Sequence, residues 1–257
     1  SLMNSEDLAK YRAIILPLPL SLDHMALDML EGYVAKGGTL ISEACPGRYD
    51  RFGFTRPGEL AEDAEEIFGV EHRSVQLCHE PRVPPRWTPV ERSYGEIRRA
   101  TRFQGKGPFA GHSVLPSLYI ETYTVKGSSP ILLCEDEVVG VVNGIGQGRA
   151  YLIGTVLGHA YSAFRDEATS AFLLSMLDKA GVRPELCGKL RRRRRVGEGQ
   201  EAWFMFNMSP DHVTERIDVS GYSAVEDLLE GALAIQTGSI VAIGVDPFQI
   251  RCLILRR

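Results

Sequence analysis

Residue types capable of covalent chemistry fall where a folded chain can bring them together. Cys45 follows an expected strand, residues 39–44, and precedes Pro46-Gly47, so its thiol stands on a sharp turn at the end of that strand. Such a thiol becomes a nucleophile only when a helix N-terminus or an imidazole lowers its pKa, because the thiolate is what attacks. His159, in Gly158-His159-Ala160 after the run 150–155, offers an imidazole from the same sheet edge, and Glu43 a carboxylate to orient it. The pattern departs from a nucleophile elbow in two ways. Glu43 stands where the elbow has its first glycine, and Pro46 removes a backbone N–H that an oxyanion would use. The expectation is therefore a structural cysteine and no catalytic residue in this chain, with Cys45, His159 and Glu43 as the set to test.

Other motifs carry less chemistry. Gly144-x-Gly146-x-Gly148 has the glycines of a phosphate loop, but it joins two strands instead of opening a helix, so it reads as a hairpin turn. Glu135-Asp136-Glu137 groups three carboxylates on a hairpin tip, where they diverge into water and cannot flank one glycosidic bond. The five arginines 191–195, read as a strand, point alternately to opposite faces. That is poor geometry for one phosphate surface and a good guard for a sheet edge. Arg48, Tyr49, Asp50, Arg51 and Phe52 form a polar-aromatic loop after the 39–44 run, with the composition of a subunit contact or of the rim of a sugar site. His24, His72, His79, His112 and His212 lack ligand spacing, so neither metal nor other cofactor is expected.

These residues need elements to hold them. Residues 11–17 read as a short apolar strand buried on both faces, as in a parallel sheet. Ser21 is the expected N-cap of a helix over 22–36 with an inner stripe of Ala26, Met29, Leu30, Tyr33 and Val34, and Gly37-Gly38 ends it before the strand 39–44. A short amphipathic helix follows at 59–68, then a proline-rich irregular excursion over 70–111 with a strand possible near 71–77. From His112 hairpins are expected: strands at 118–125, 130–134, 138–142 and 150–155. A helix over 167–179 has Ala168, Ala171, Phe172, Leu174, Ser175 and Leu177 as its inner residues. Beyond Pro184, alternating runs predict a small antiparallel sandwich.

Composition bounds the rest. A chain of 257 residues holds about two domains and buries a core without staples. Its five scattered cysteines, none in a Cys-x-x-Cys pair, fit a reduced compartment, and the expected location is the cytoplasm. A net charge of −4 argues against nucleic acid as partner, and no apolar run is long enough for a membrane span. Ser1-Leu2 before Met3 reads as a cloning remnant, and a buried strand starting at Tyr11 with no strand before it to pair with suggests a piece of a longer protein.

The succession of pieces resembles the carboxyl-terminal part of family 42 glycoside hydrolases of the β-galactosidase type. The matching stretches are YRAIILP (11–17), GYVAKGGTLISEA (32–44), IFGV (67–70), GQGRAYLIGT (146–155) and EAWFMFNMS (201–209). The resemblance implies a class I glutamine-amidotransferase-like (flavodoxin-like) α/β trimerisation domain with a mostly parallel sheet over residues 1–184, then a β-sandwich over 185–257. It implies homotrimers, a catalytic barrel as covalent partner and galactosides as the parent's substrate. Nothing here matches that (β/α)8 barrel, so the family's two catalytic glutamates have no positions in this chain. The expected role is non-catalytic assembly. The alternatives are a thiol enzyme using Cys45 and His159, and a carbohydrate-binding scaffold module.

Overall fold

A computed structural model describes residues 5–50, 52–55, 60–78, 101–182, 189–229, 231–232 and 239–257. The chain forms two compact units, Ser1–Arg183 and Pro184–Arg257. The proline-rich stretch 79–100 and Arg51 lie outside the described residues.

The first unit begins with α1 (Ser5–Leu8), β1 (Ala13–Leu16), α2 (His24–Ala35) and β2 (Thr39–Ser42). Helix α2 starts two residues later than the sequence suggests. Its N-cap is Asp23, whose Oδ1 accepts from the Ala26 N–H at 2.8 Å, whereas Ser21 is drawn off into a bridge with Tyr49. The buried residues of α2 are Leu27, Leu30, Tyr33 and Val34. Where α2 meets β2 a Cβ on Gly38 would lie 2.2 Å from the Tyr33 ring, so any larger residue would force that ring to move. Next come α3 (Glu62–Phe68), β3 (Val70–Leu77), β4 (Phe103–Gly105), β5 (Ser113–Val114), β6 (Tyr119–Val125), β7 (Ser129–Cys134), β8 (Glu137–Ile145), β9 (Gly148–Ile153), α4 (Leu157–Phe164) and α5 (Glu167–Lys179).

Seven strands form one sheet in the order β1-β2-β9-β8-β7-β4-β5. Only the β1–β2 and β2–β9 pairings are parallel, and the other four are antiparallel. The mostly parallel sheet expected from the resemblance is thus a mixed one. The reason is local: parallel strands need a crossover of a dozen residues or more, whereas tight turns at Glu135-Asp136 and Gly146-Gln147 join β7 to β8 and β8 to β9. Strand β1 lies at the sheet edge and is only half-buried, with Ile15 exposed, contrary to the expectation of burial on both faces. Two buried clusters lie on the sheet: one joins Leu27, Leu30, Val34, Leu40, Ile67, Phe68 and Leu152, the other Ile41, Phe103, Phe109, Ile153, Phe172 and Met176. Helix α5 buries Thr169, Phe172 and Met176, while Leu174, expected inside, is 44% exposed. Strands β3 and β6 pair separately.

The second unit contains β10 (Arg191–Gly197), β11 (Gln200–Phe206), β12 (Val213–Asp218), β13 (Ala224–Asp227), β14 (Gly231–Ala232), β15 (Ile240–Val245) and β16 (Ile250–Arg256). They form an antiparallel sheet, β10-β11-β16-β13-β14, and a β12–β15 pair. Trp203, Met205, Leu253 and Leu255 from the first share a core with Val213, Ile217, Val241 and Ile243 from the second. The arginine run forms the edge strand β10. Arg192 lies over the Trp203 ring, 4.4 Å from its centroid, and Arg194 pairs with the buried Glu201. Arg194, Arg257 and Trp203 together hold the Glu201 carboxyl well below the usual carboxylate range, against its burial. Among the described residues no helix is long and apolar enough to cross a membrane.

Candidate functional site at the carboxyl edge of the parallel strands

Past Ser42, the Glu43 N–H bonds the Leu16 carbonyl and the Ala44 N–H the Thr155 carbonyl, extending β2 toward its neighbours on both sides. The next residue is Cys45, with φ of 63°. A non-glycine residue in this left-handed region is strained, so the chain turns sharply at Cys45, into a loop and not into the helix of a strand-to-helix elbow.

The surroundings of that turn decide its chemistry. Cys45 is fully buried, and its N–H donates to Glu121 Oε2 at 2.8 Å. The same oxygen accepts from the Tyr123 hydroxyl at 2.7 Å, and Glu121 Oε1 lies 3.6 Å from His72 Nε2. Burial, followed by the adjacent Glu121 carboxylate, pushes the Cys45 thiol up to about 12, with Arg48 opposing. At neutral pH roughly one thiol in 10⁵ is then ionised, so the nucleophilic form is almost absent.

Glu43, the candidate orienting group, spends both oxygens on the main chain. Oε1 accepts from the Gly158 N–H at 2.8 Å and Oε2 from the Leu18 N–H at 3.1 Å. Burial raises its carboxyl pKa, and the N–H groups of Gly158, Leu18 and Leu157 partly offset this. Glu43 therefore meets the N-terminus of α4, where Val156, the N-cap residue, makes no side-chain cap. His159, expected in a loop, sits in the first turn of that helix. Its Nδ1 is 2.6 Å from Ser117 Oγ, its ring meets Phe164 edge-on, and burial lowers its pKa.

The polar-aromatic loop is pinned. The Gly47 and Tyr49 N–H groups bond the Pro19 and Leu20 carbonyls, and Asp50 Oδ1 accepts from the N–H groups of Phe52 and Phe54 at 2.8 and 2.9 Å. The rings of Phe52 and Phe54 are left in water, 69% and 71% exposed. Arg48 stays beside Cys45. At the β7–β8 turn, Glu137 pairs with Arg73 across 3.2 Å. No group of His, Cys, Asp and Glu side chains suited to a metal occurs among the described residues.

Sequence reasoning missed Glu121. Its signal was a carboxylate between Tyr119 and Tyr123 on one face of an alternating strand, a face that turned out to be inside. His212, named from the sequence only as lacking ligand spacing, is held between Asp246 Oδ1 at 2.9 Å and Thr214 Oγ1 at 3.2 Å.

No family model matches the sequence, and no curated protein matches it either. Solved structures do. Gan42B, a GH42 β-galactosidase from G. stearothermophilus, superposes over 98% of this chain with a TM-score of 0.70 at 20% identity. The fold is shared with GH42 β-galactosidases. The β-galactosidase of Bacillus circulans sp. alkalophilus gives 0.69 over 98% at 16% identity, and that of Rahnella sp. R3 gives 0.69 over 99% at 14%. The chain spans about a third of each: 33%, 34% and 34%.

Proposed function

We propose that this chain is the non-catalytic assembly and accessory part, at the carboxyl-terminal end, of a β-galactosidase-like glycoside hydrolase. On this reading the hydrolytic (β/α)8 barrel and its two carboxylates lie on polypeptide beyond these residues, and the parent reaction is hydrolysis of terminal β-D-galactosides. The observation that carries the reading is the coverage: nearly all of this chain superposes on one third of Gan42B.

The finer assignment of the first unit as an amidotransferase-like layer draws support from the parallel β1-β2-β9 core and from Cys45 held left-handed at the end of β2. Loss of the thiol chemistry fits the neighbouring Glu121 and a thiol pushed to about 12. Self-association, as a trimer, is supported by the pinned loop that presents Phe52 and Phe54 to water. Aromatic side chains on a rigid support lose little entropy on docking, which suits them to an interface. A reduced, cytoplasmic setting is in keeping with free thiols at Cys45, Cys78, Cys134 and Cys252.

Light scattering after size exclusion at tens of micromolar tests the assembly role. A trimer that dissociates in the Phe52→Ser/Phe54→Ser double variant is expected, and a wild-type monomer overturns it. Hydrolysis of nitrophenyl β-galactoside by this chain alone would overturn the non-catalytic assignment.

A further inference from the structure

On the sheet face that also carries α5, a cavity of about 450 Å³ opens beside the end of that helix, within the size range of small-molecule sites. Its floor follows from the register. Ser129 lies opposite Val142, and Val142 opposite Tyr151, so the three form one cross-strand row, with Arg149 two residues before Tyr151 on the same face. Lys179, the last residue of α5, closes the rim and stands over the Phe109 ring, 5.2 Å from its centroid.

Four polar side chains line this cavity: Ser129, Arg149, Tyr151 and Lys179. The Arg149 guanidinium and the Lys179 ammonium form no ion pair with any described residue, and the Ser129 and Tyr151 hydroxyls make no hydrogen bond to one. Tyr151 is only 2% exposed and borders the cavity. All four groups donate hydrogen bonds, two are cations, and no carboxylate lines the cavity among the described residues. Around them the wall is apolar, with Phe109, Ile131 and Val142.

We propose that this cavity binds a small organic anion, its phosphate or carboxylate held by Arg149 and Lys179 within reach of the Tyr151 hydroxyl, and its apolar or ring body laid on Phe109 and Val142. Two cations and two hydroxyl donors on one lining fit an oxyanion, and the aromatic wall fits a body that a bare inorganic ion lacks. This site is separate from the Cys45 edge and does not depend on the assembly reading.

The test is titration of the full chain at low salt, followed by amide shifts of residues 129, 131, 142 and 149–151, with phenyl phosphate, benzoate, inorganic phosphate and neutral benzyl alcohol as probes. Phenyl phosphate or benzoate is expected to shift these amides and to bind about ten-fold or more tightly than inorganic phosphate or benzyl alcohol. Whichever of the two binds more tightly identifies the preferred oxyanion. Arg149→Gln and Lys179→Gln, both at exposed positions, should each weaken the organic anion about ten-fold with unchanged melting, and Tyr151→Phe by a smaller factor. No shift at millimolar probe, equal binding of the neutral alcohol, or undiminished affinity in both charge variants overturns the proposal. So does loss of self-association in Arg149→Gln when the wild type ignores all four probes, because the pocket would then receive a partner's side chain.

Discussion

Asp166 joins two parts of the first unit, and its charge can be separated from its capping. It is the N-cap of α5: Oδ2 accepts from the Thr169 N–H at 2.9 Å and from its hydroxyl at 2.6 Å. Arg102 grips both oxygens, Nη1 to Oδ1 at 2.9 Å and Nη2 to Oδ2 at 2.8 Å. Burial pushes the carboxyl up, but the Arg102 guanidinium and the Thr169 donors outweigh it and lower the pKa from 3.8 to about 2. The Asp166 side chain is 15% exposed and that of Arg102 35%, so solvent screens the pair in part. A depression of that size corresponds to about 2 kcal/mol of stability. Because the folded pKa is the lower one, this contribution is full above about pH 5, fades as pH falls through the unfolded value, and is gone below about pH 2. Asp166→Asn keeps an N-cap acceptor and should lose about 2 kcal/mol at pH 7; Asp166→Ala should lose about 3, the further unit being the cap. Urea unfolding of wild type and both variants between pH 7 and 2.5 measures this. At pH 7 the Asn variant's midpoint should fall by about 1 M, and the gap to wild type should close toward pH 2.5. An Asn variant within about 0.5 kcal/mol of wild type at pH 7, or a gap that does not close in acid, refutes the reasoning.

Three further outcomes follow from single distances and environments. A Cβ on Gly148 would lie 2.1 Å from the Val34 carbonyl oxygen and 2.3 Å from that of Gly38, so Gly148→Ala should cost about 3 kcal/mol in denaturant unfolding; a loss under about 1 kcal/mol would show that α2 yields easily. With its thiol at about 12, Cys45 in the folded protein should react with iodoacetamide at pH 8 about a thousand-fold more slowly than a free thiol, read by mass spectrometry of the alkylated peptide, and rapid labelling would restore the thiol enzyme as a candidate. Glu43→Gln should cost about 1–3 kcal/mol, because one end of the amide must point an N–H at the N–H of Leu18 or Gly158; unaltered melting would mean those donors find other acceptors.

Local signals in the sequence reached the local structure. The Glu167–Lys179 helix and the hairpin turn at Gly146-Gln147 lie where periodicity and glycines put them. What escaped depends on partners far along the chain. Helix α4 is short, its N-cap residue Val156 makes no side-chain cap, and an N–H of its first turn is met by Glu43, 115 residues earlier, so nothing near residue 157 announces a helix. Asp23 took the capping role from Ser21 because Ser21 bridges to Tyr49, another long-range contact. The apolar run of β1 looked doubly buried because its composition is apolar, yet composition does not reveal which strand ends a sheet. Cys45 and its sharp bend were legible from the turn residues; the carboxylate that governs the thiol, Glu121, sits 76 residues away.

The carboxyl edge is built from groups that enzymes use, each turned inward. A catalytic carboxylate must keep an oxygen for substrate, yet Glu43 gives one to the loop after β1 and the other to α4; Glu121 is fully buried and gives Oε2 to both the Cys45 N–H and the Tyr123 hydroxyl. Each buried acid therefore ties together segments that the local sequence leaves separate: Glu43 the Leu18 loop, β2 and α4, Glu121 the Cys45 turn and β6. Main-chain donors met in this way help hold the left-handed Cys45 against its strain. An edge fastened internally presents little to a substrate and a fixed outline to a surface. The residues left facing water on its loop are Phe52 and Phe54, 69% and 71% exposed.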